Sequence, residues 1–183
     1  MAQFDPVLWR QRAWERLRRA AKRSSTGKPT PVQEAAWASD FAAVADIETV
    51  AAWCKVRCIT VEFDKVEPGT NGVFDTAAKK VTVSSRATAQ KQLITLLHEC
   101  GHYLIGDKDE DDRFKMGYCM QHDDAIAKTF PHKLACVEEE FEAWHRGWKL
   151  AQRLGLSLDR ASFDELRLSC LKSYIKWTTR KGK

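Results

Sequence analysis

Residues 93–106 read LITLLHECGHYLIG. Leu93, Ile94, Leu96 and Leu97 load the front of this stretch with apolar side chains, and the spacing predicts a helix from Ala87 to Tyr103, with Gly106 bringing the chain out of it. His98 and His102 stand one helical turn apart, so both imidazoles leave the same face and two ring nitrogens can reach one ion. Zinc suits that pair, because it accepts imidazole and carboxylate ligands at tetrahedral angles and keeps a position for water. Glu99 follows the first histidine and is placed to take the proton that a zinc-activated water gives up and to deliver it to a leaving amine. Gly101 lets another backbone approach closely. Two histidines at this spacing also arise by chance on solvated helices; the apolar approach and the two glycines set this pair apart.

A third ligand is required, and the cluster Glu138, Glu139, Glu140 and Glu142 is its source. The helix predicted from Leu134 to Leu154, ended by Gly155, discriminates among them. Glu140 shares a face with Val137, Ala143, Trp144 and Gly147, so its carboxylate points into the core, where a metal compensates a charge that is otherwise costly to bury. Glu142 groups with Glu138, His145 and Arg146 on a solvated face, and Glu139 lies between the two. Glu140 is the first choice and Glu139 the second, since a one-residue error of phase exchanges them. His122, His132 and His145 compete for the role but read as loop or surface histidines.

Working outward, Val56, Cys58, Thr60, Val61 and Phe63 form a β-branched run, Gly72 to Phe74 a second short strand, and Lys80 to Ser85 (KVTVSS) an alternating third. Turn chemistry at Pro68-Gly69 and Asn71-Gly72 predicts a small antiparallel sheet. An alanine-rich helix precedes it from Val32 to about Cys54, and Phe163 to Thr178 is the last helix. The organisation expected is a basic amphipathic helix over 1–22, a linker over 23–31, one domain over 32–178 and a basic tail over 179–183. The acidic run Asp107 to Asp112 opens a long surface loop, of the kind that often acts as a lid.

The chain of 183 residues is near the size of one domain, and 44% hydrophobic with 30% charged residues is ordinary for a globular protein. No apolar run is long enough to span a bilayer, and arginines from Arg10 to Arg19 interrupt any secretory pattern, which predicts a cytoplasmic protein without membrane association. Six cysteines are then expected as reduced thiols, with Cys54 and Cys58 buried or strand-facing and Cys100 a small core residue. A net charge of +5 concentrated at Arg10 to Arg23 and Lys172 to Lys183 allows weak contact with nucleic acid.

The HExxH helix followed by a glutamate-bearing helix resembles the gluzincin class of metallopeptidases, and Glu140 with Ala143 matches its form of a liganding glutamate followed by a small residue. A short strand, the alternating KVTVSS strand, LLHECGHYLIG and EEEFEAW together resemble the ImmA/IrrE family of phage, mobile-element and stress-response peptidases over roughly Val56 to Leu154. The resemblance implies a zincin-like α+β fold with a small, largely antiparallel sheet and the metal helix at its centre. It also implies Zn2+ on His98, His102 and Glu140, Glu99 as general base, and a protein or peptide substrate such as a repressor or regulator. The strand carrying Val81, Thr82, Val83 and Ser84 becomes the sheet edge on which an extended peptide lies, a role that unpaired edge groups suit physically. Trp144 and the long loop from Asp107 to Lys133 depart from the family pattern. Two other readings stand beside this one: a catalytically silent zincin-fold protein that binds DNA or a regulatory protein, and a SprT-like protease acting on DNA-bound proteins, which would complete its site with a histidine such as His132.

Overall fold

A computed structural model describes residues 11, 15, 19, 30–67, 69–106, 114, 116–118, 121 and 123–179, apart from the side chains of 32–34, 36 and 37. Most of the expected N-terminal helix and of its linker, the acidic run Asp107 to Asp112, His122 and residues 180–183 of the basic tail therefore lie outside the described residues. Gln11, Glu15 and Arg19 are helical and exposed, and Arg19 donates to Glu15 at 3.3 Å.

Among the described residues the order is α1 (Pro31–Val56), β1 (Thr60–Asp64), β2 (Gly72–Asp75), β3 (Lys80–Ser84), α2 (Ala89–Gly106), α3 (Asp124–Ala127), α4 (Phe130–Arg153) and α5 (Arg160–Thr178). This is an α+β chain, with these five helices and a small mixed sheet among the described residues of 30–179. It divides into two compact units, one of Met1–Leu96 with Leu154–Ser157, the other of Leu97–Arg153 with Leu158–Lys183. No described helix is long and apolar enough to cross a membrane.

In the first unit, α1 buries Ala43, Val44, Ile47, Val50 and Cys54, one stripe at helical spacing. The strand expected from Val56 starts later, because α1 continues to Val56, which is 81% exposed. Cys58 ends the helix with φ of 57°, its N–H bonded to the Lys55 carbonyl and that of Ile59 to the Cys54 carbonyl. That is a Schellman closure with cysteine in the left-handed position usually given to glycine. Cys58 is accordingly exposed, not buried or strand-facing, while Cys54 and Cys100 are buried.

The sheet order is β1-β3-β2, with β1 parallel to β3 and β2 antiparallel to it. This corrects the antiparallel expectation: the connection after β1 carries the chain past the place of β3, and the hairpin at 76–79 then folds β3 back between the other two strands. Lys79, with φ of 46°, and the Ala78 N–H on the Asp75 carboxylate shape that hairpin. The second correction concerns Val81, Thr82, Val83 and Ser84. Their strand is central and hydrogen-bonded on both sides, with Val81 and Val83 fully buried, so it offers no open edge to a peptide. The sheet's outer edges belong to β1 and β2.

Thr88 caps α2 by accepting the Lys91 N–H, and residues 92–100 are buried on every face of the helix. In the second unit α4 begins at Phe130, earlier than the apolar pattern suggests, because Pro131 falls in the first turn, where a missing N–H leaves no bond unmade. Gly155 at φ of 65° follows its end, and Asp159 caps α5 through the Ser162 N–H at 2.8 Å. The three Ser162 and Ala161 donors hold the exposed Asp159 carboxyl below the usual range.

Candidate metal centre

Residues 97–106 of α2 and the middle of α4 approach more closely than side chains ordinarily permit. A Cβ at Gly147 would stand 2.6 Å from the Leu97 carbonyl oxygen, and one at Gly101 would overlap the carbonyl oxygen of Ala143. The two glycines thus admit the facing backbones. Arg146 adds a tether, bonding Glu142 at 2.7 Å and also the Leu104 carbonyl near the end of α2.

That approach brings the predicted ligands together. His98 Nε2 is 3.3 Å from Glu140 Oε2, and His102 Nε2 is 3.3 Å from Glu140 Oε1. His98, His102 and Glu140 form a group that can hold a metal ion, with one ligand atom from each within 4.8 Å of the others. Donors held about 2.0–2.2 Å from a tetrahedral ion lie about 3.3–3.6 Å from one another, so the spacing from His98 Nε2 to Glu140 Oε2 matches a tetrahedral edge, while His102 Nε2 faces the second oxygen of the same carboxylate. Glu140 is 2% exposed, and among the described residues its Oε2 accepts no hydrogen bond and has only the ion-pair approach of His98, a buried carboxylate oxygen of the kind a cation satisfies.

The other carboxylate oxygen is engaged. Glu140 Oε1 accepts the Tyr118 hydroxyl at 2.7 Å, while the Tyr118 backbone N–H bonds Glu139 Oε2 at 3.1 Å. Glu139 Oε1 lies 3.8 Å from His102 Nδ1. Glu139, the second choice for a ligand, therefore faces the far side of the His102 ring and is not in the three-residue group. The two histidine rings meet edge to face, and His98 stacks on Trp144 with centroids 4.1 Å apart and planes within 18°.

No family model, curated protein or solved structure matches the chain.

Burial favours a neutral His102, but the Glu139 and Glu140 carboxylates against it, with the charge of Glu99, push its pKa up to about 10. Burial acts on Glu140 in the opposite sense to the imidazoles of His102 and His98, and these prevail, holding its carboxyl well below the usual range. Burial, and next the Glu140 charge, push the Tyr118 and Tyr174 phenols far above their ordinary value, so both remain O–H donors. Glu99 is 6% exposed, and its charge reaches both His102 and Tyr174.

Tyr118 and Tyr174 are the residues that sequence reasoning missed. One comes from a turn before α3 and the other from α5, and no spacing rule connects either to the HExxH helix. Of the competing histidines, His145 is exposed as expected. His132 is not a surface residue: it is 3% exposed, its Nδ1 is 2.8 Å from the Met116 carbonyl, and its Nε2 is 3.5 Å from Cys136 Sγ. Its place in the first turn of α4 buries it, with both nitrogens engaged away from the metal group.

Proposed function

We propose that this chain is a zinc-dependent peptidase of the gluzincin kind, similar in character to the ImmA/IrrE peptidases, and that it hydrolyses an intracellular protein. The observation that carries the reading is the meeting of two imidazole Nε2 atoms, each at 3.3 Å, with one buried carboxylate whose Oε2 accepts no hydrogen bond among the described residues. Zinc bound by His98, His102 and Glu140 supplies Lewis acidity toward a carbonyl and lowers the pKa of water. Glu99 supplies the base: it lies on the same helix as both histidines, is largely dry, and acts on the attacking water and then on the leaving amine nitrogen. Tyr118 fixes one oxygen of Glu140 and leaves the other to the metal. Buried His132, with its ring nitrogens engaged elsewhere, gives no support to a site completed by a histidine.

Elemental analysis of the purified chain and of His98→Ala is the first test, with near one zinc per chain expected in the former and loss in the latter. Peptide-library cleavage by Glu99→Gln is the second. That variant should keep its zinc and lose at least a hundred-fold in rate, on the order of a general base's contribution. Zinc content unchanged by His98→Ala would reject the metal assignment, and full activity in Glu99→Gln would reject the mechanism.

A further inference from the structure

We infer that Glu139 is a positioning residue for His102: its carboxylate holds the Nδ1 proton of that ring and so presents Nε2 to the metal. The inference rests on the metal reading above and deepens it. A neutral imidazole carries its proton on one nitrogen only, and the hydrogen bond made by one nitrogen decides which is free to ligate. His102 Nε2 faces Glu140 at 3.3 Å, whereas Nδ1, on the opposite side of the ring, faces Glu139 Oε1 at 3.8 Å. A sub-ångström shift brings that ion-pair approach to hydrogen-bond length, and such bonds commonly tighten when a site is filled.

Three features support that role for Glu139. It is 9% exposed, so its carboxylate requires partners inside the protein. Its Oε2 is fixed by the Tyr118 N–H at 3.1 Å, leaving Oε1 for the ring. Gly117 leaves room for Oε2 where it stands, since a Cβ there would lie 2.5 Å from that oxygen and displace it. The arrangement is also one-sided. His98 Nδ1 is buried without a hydrogen-bond partner among the described residues, and that ring stacks on Trp144. Removing Glu139 should therefore act on His102 and leave His98 alone.

The test uses the full chain with zinc affinity measured by chelator competition, and histidine-ring 15N spectra of the zinc-loaded protein. Glu139→Ala should still bind one zinc at saturation but roughly ten- to a hundred-fold more weakly, and Glu139→Gln, which keeps an acceptor oxygen, should recover part of the loss. In the wild type the His102 ring should carry its proton on Nδ1 with slow exchange, and in Glu139→Ala that exchange should accelerate while the His98 signals stay in place. Thermal midpoints at saturating zinc identify a variant that has merely failed to fold, and the graded Gln rescue is a result that a purely structural role would not give. Wild-type affinity in Glu139→Ala overturns this inference alone. Loss of stoichiometric zinc, matching Glu140→Ala, overturns it in favour of a ligand role for Glu139. A wild-type chain without zinc affinity removes the metal reading and this inference with it.

Discussion

His102 carries a proton that a metal must displace. With its pKa pushed up to about 10, above the roughly 6.5 of an unfolded histidine, its contribution to the stability of the metal-free chain is complete below about pH 6.5 and fades as pH rises toward 10. Glu140 works in the other direction: its depressed carboxyl stabilises the fold above the ordinary carboxylate range and loses that effect as acid protonates it. The thermal midpoint of the metal-free chain should therefore be highest between about pH 5 and 6.5 and decline on the alkaline side. Zinc uptake near pH 8 should release about one proton, read by calorimetry in buffers of different ionisation heat; heats independent of buffer would contradict a protonated His102. Trp144 makes a second residue-scale test through its stack on His98. Trp144→Phe keeps an aromatic face and removes a buried indole N–H that has no partner among the described residues, so zinc affinity should stay within a few-fold, whereas Trp144→Ala opens a cavity worth about 3–5 kcal/mol of stability. At this scale the site was largely legible: helical spacing fixes the common face of His98 and His102, and helix phase selects Glu140. The tyrosines were not, because a phenol contributed by a turn leaves no periodic mark.

The meeting of α2 with α4 depends on two bare Cα positions. Gly101→Ala places its methyl against a backbone oxygen of Ala143, which cannot rotate away as a side chain would, so the helices must separate. Overpacking of that kind destabilises by about 1–3 kcal/mol or more. Because α4 also carries Glu140, the same variant should weaken zinc binding. Gly106→Ala is the matched control, since none of the described residues lies within 4 Å of its added Cβ, and it should leave both midpoint and affinity nearly unchanged. Equal behaviour of the two variants in a denaturant titration would show that the crossing does not set the ligand distances. Element by element, apolar period and turn residues indicated α1, α2, α4, α5 and three strands, whereas α3 lies inside the stretch expected as a long loop, because four residues are too few to show a helical period. Strand order was hidden, because alternation in KVTVSS says which side chains are buried and not which neighbours pair. The end of α1 was hidden as well, since Cys58 occupies the position where a glycine would have announced it.

All three candidate ligands, together with Glu99, Glu139, Tyr118 and Tyr174, belong to the unit of Leu97–Arg153 and Leu158–Lys183. The division from the other unit falls inside α2, where no proline or polar run marks it in the sequence. Zinc should accordingly stabilise one unit selectively. At a hundred times its dissociation constant a ligand adds about 2.7 kcal/mol to the state that binds it, which is about a hundred-fold in the protection of amides that exchange through opening of that state. Hydrogen exchange with and without zinc should then slow at 97–106, in α4 and in α5, and change little in α1 and β1 to β3. Protection spread evenly over both units would mean that they open as one cooperative body, and protection confined to the sheet would place the ion away from His98, His102 and Glu140. The selective pattern follows because binding energy reaches only those openings that pull the ligands apart, and separating α2 from α4 is the opening that does so.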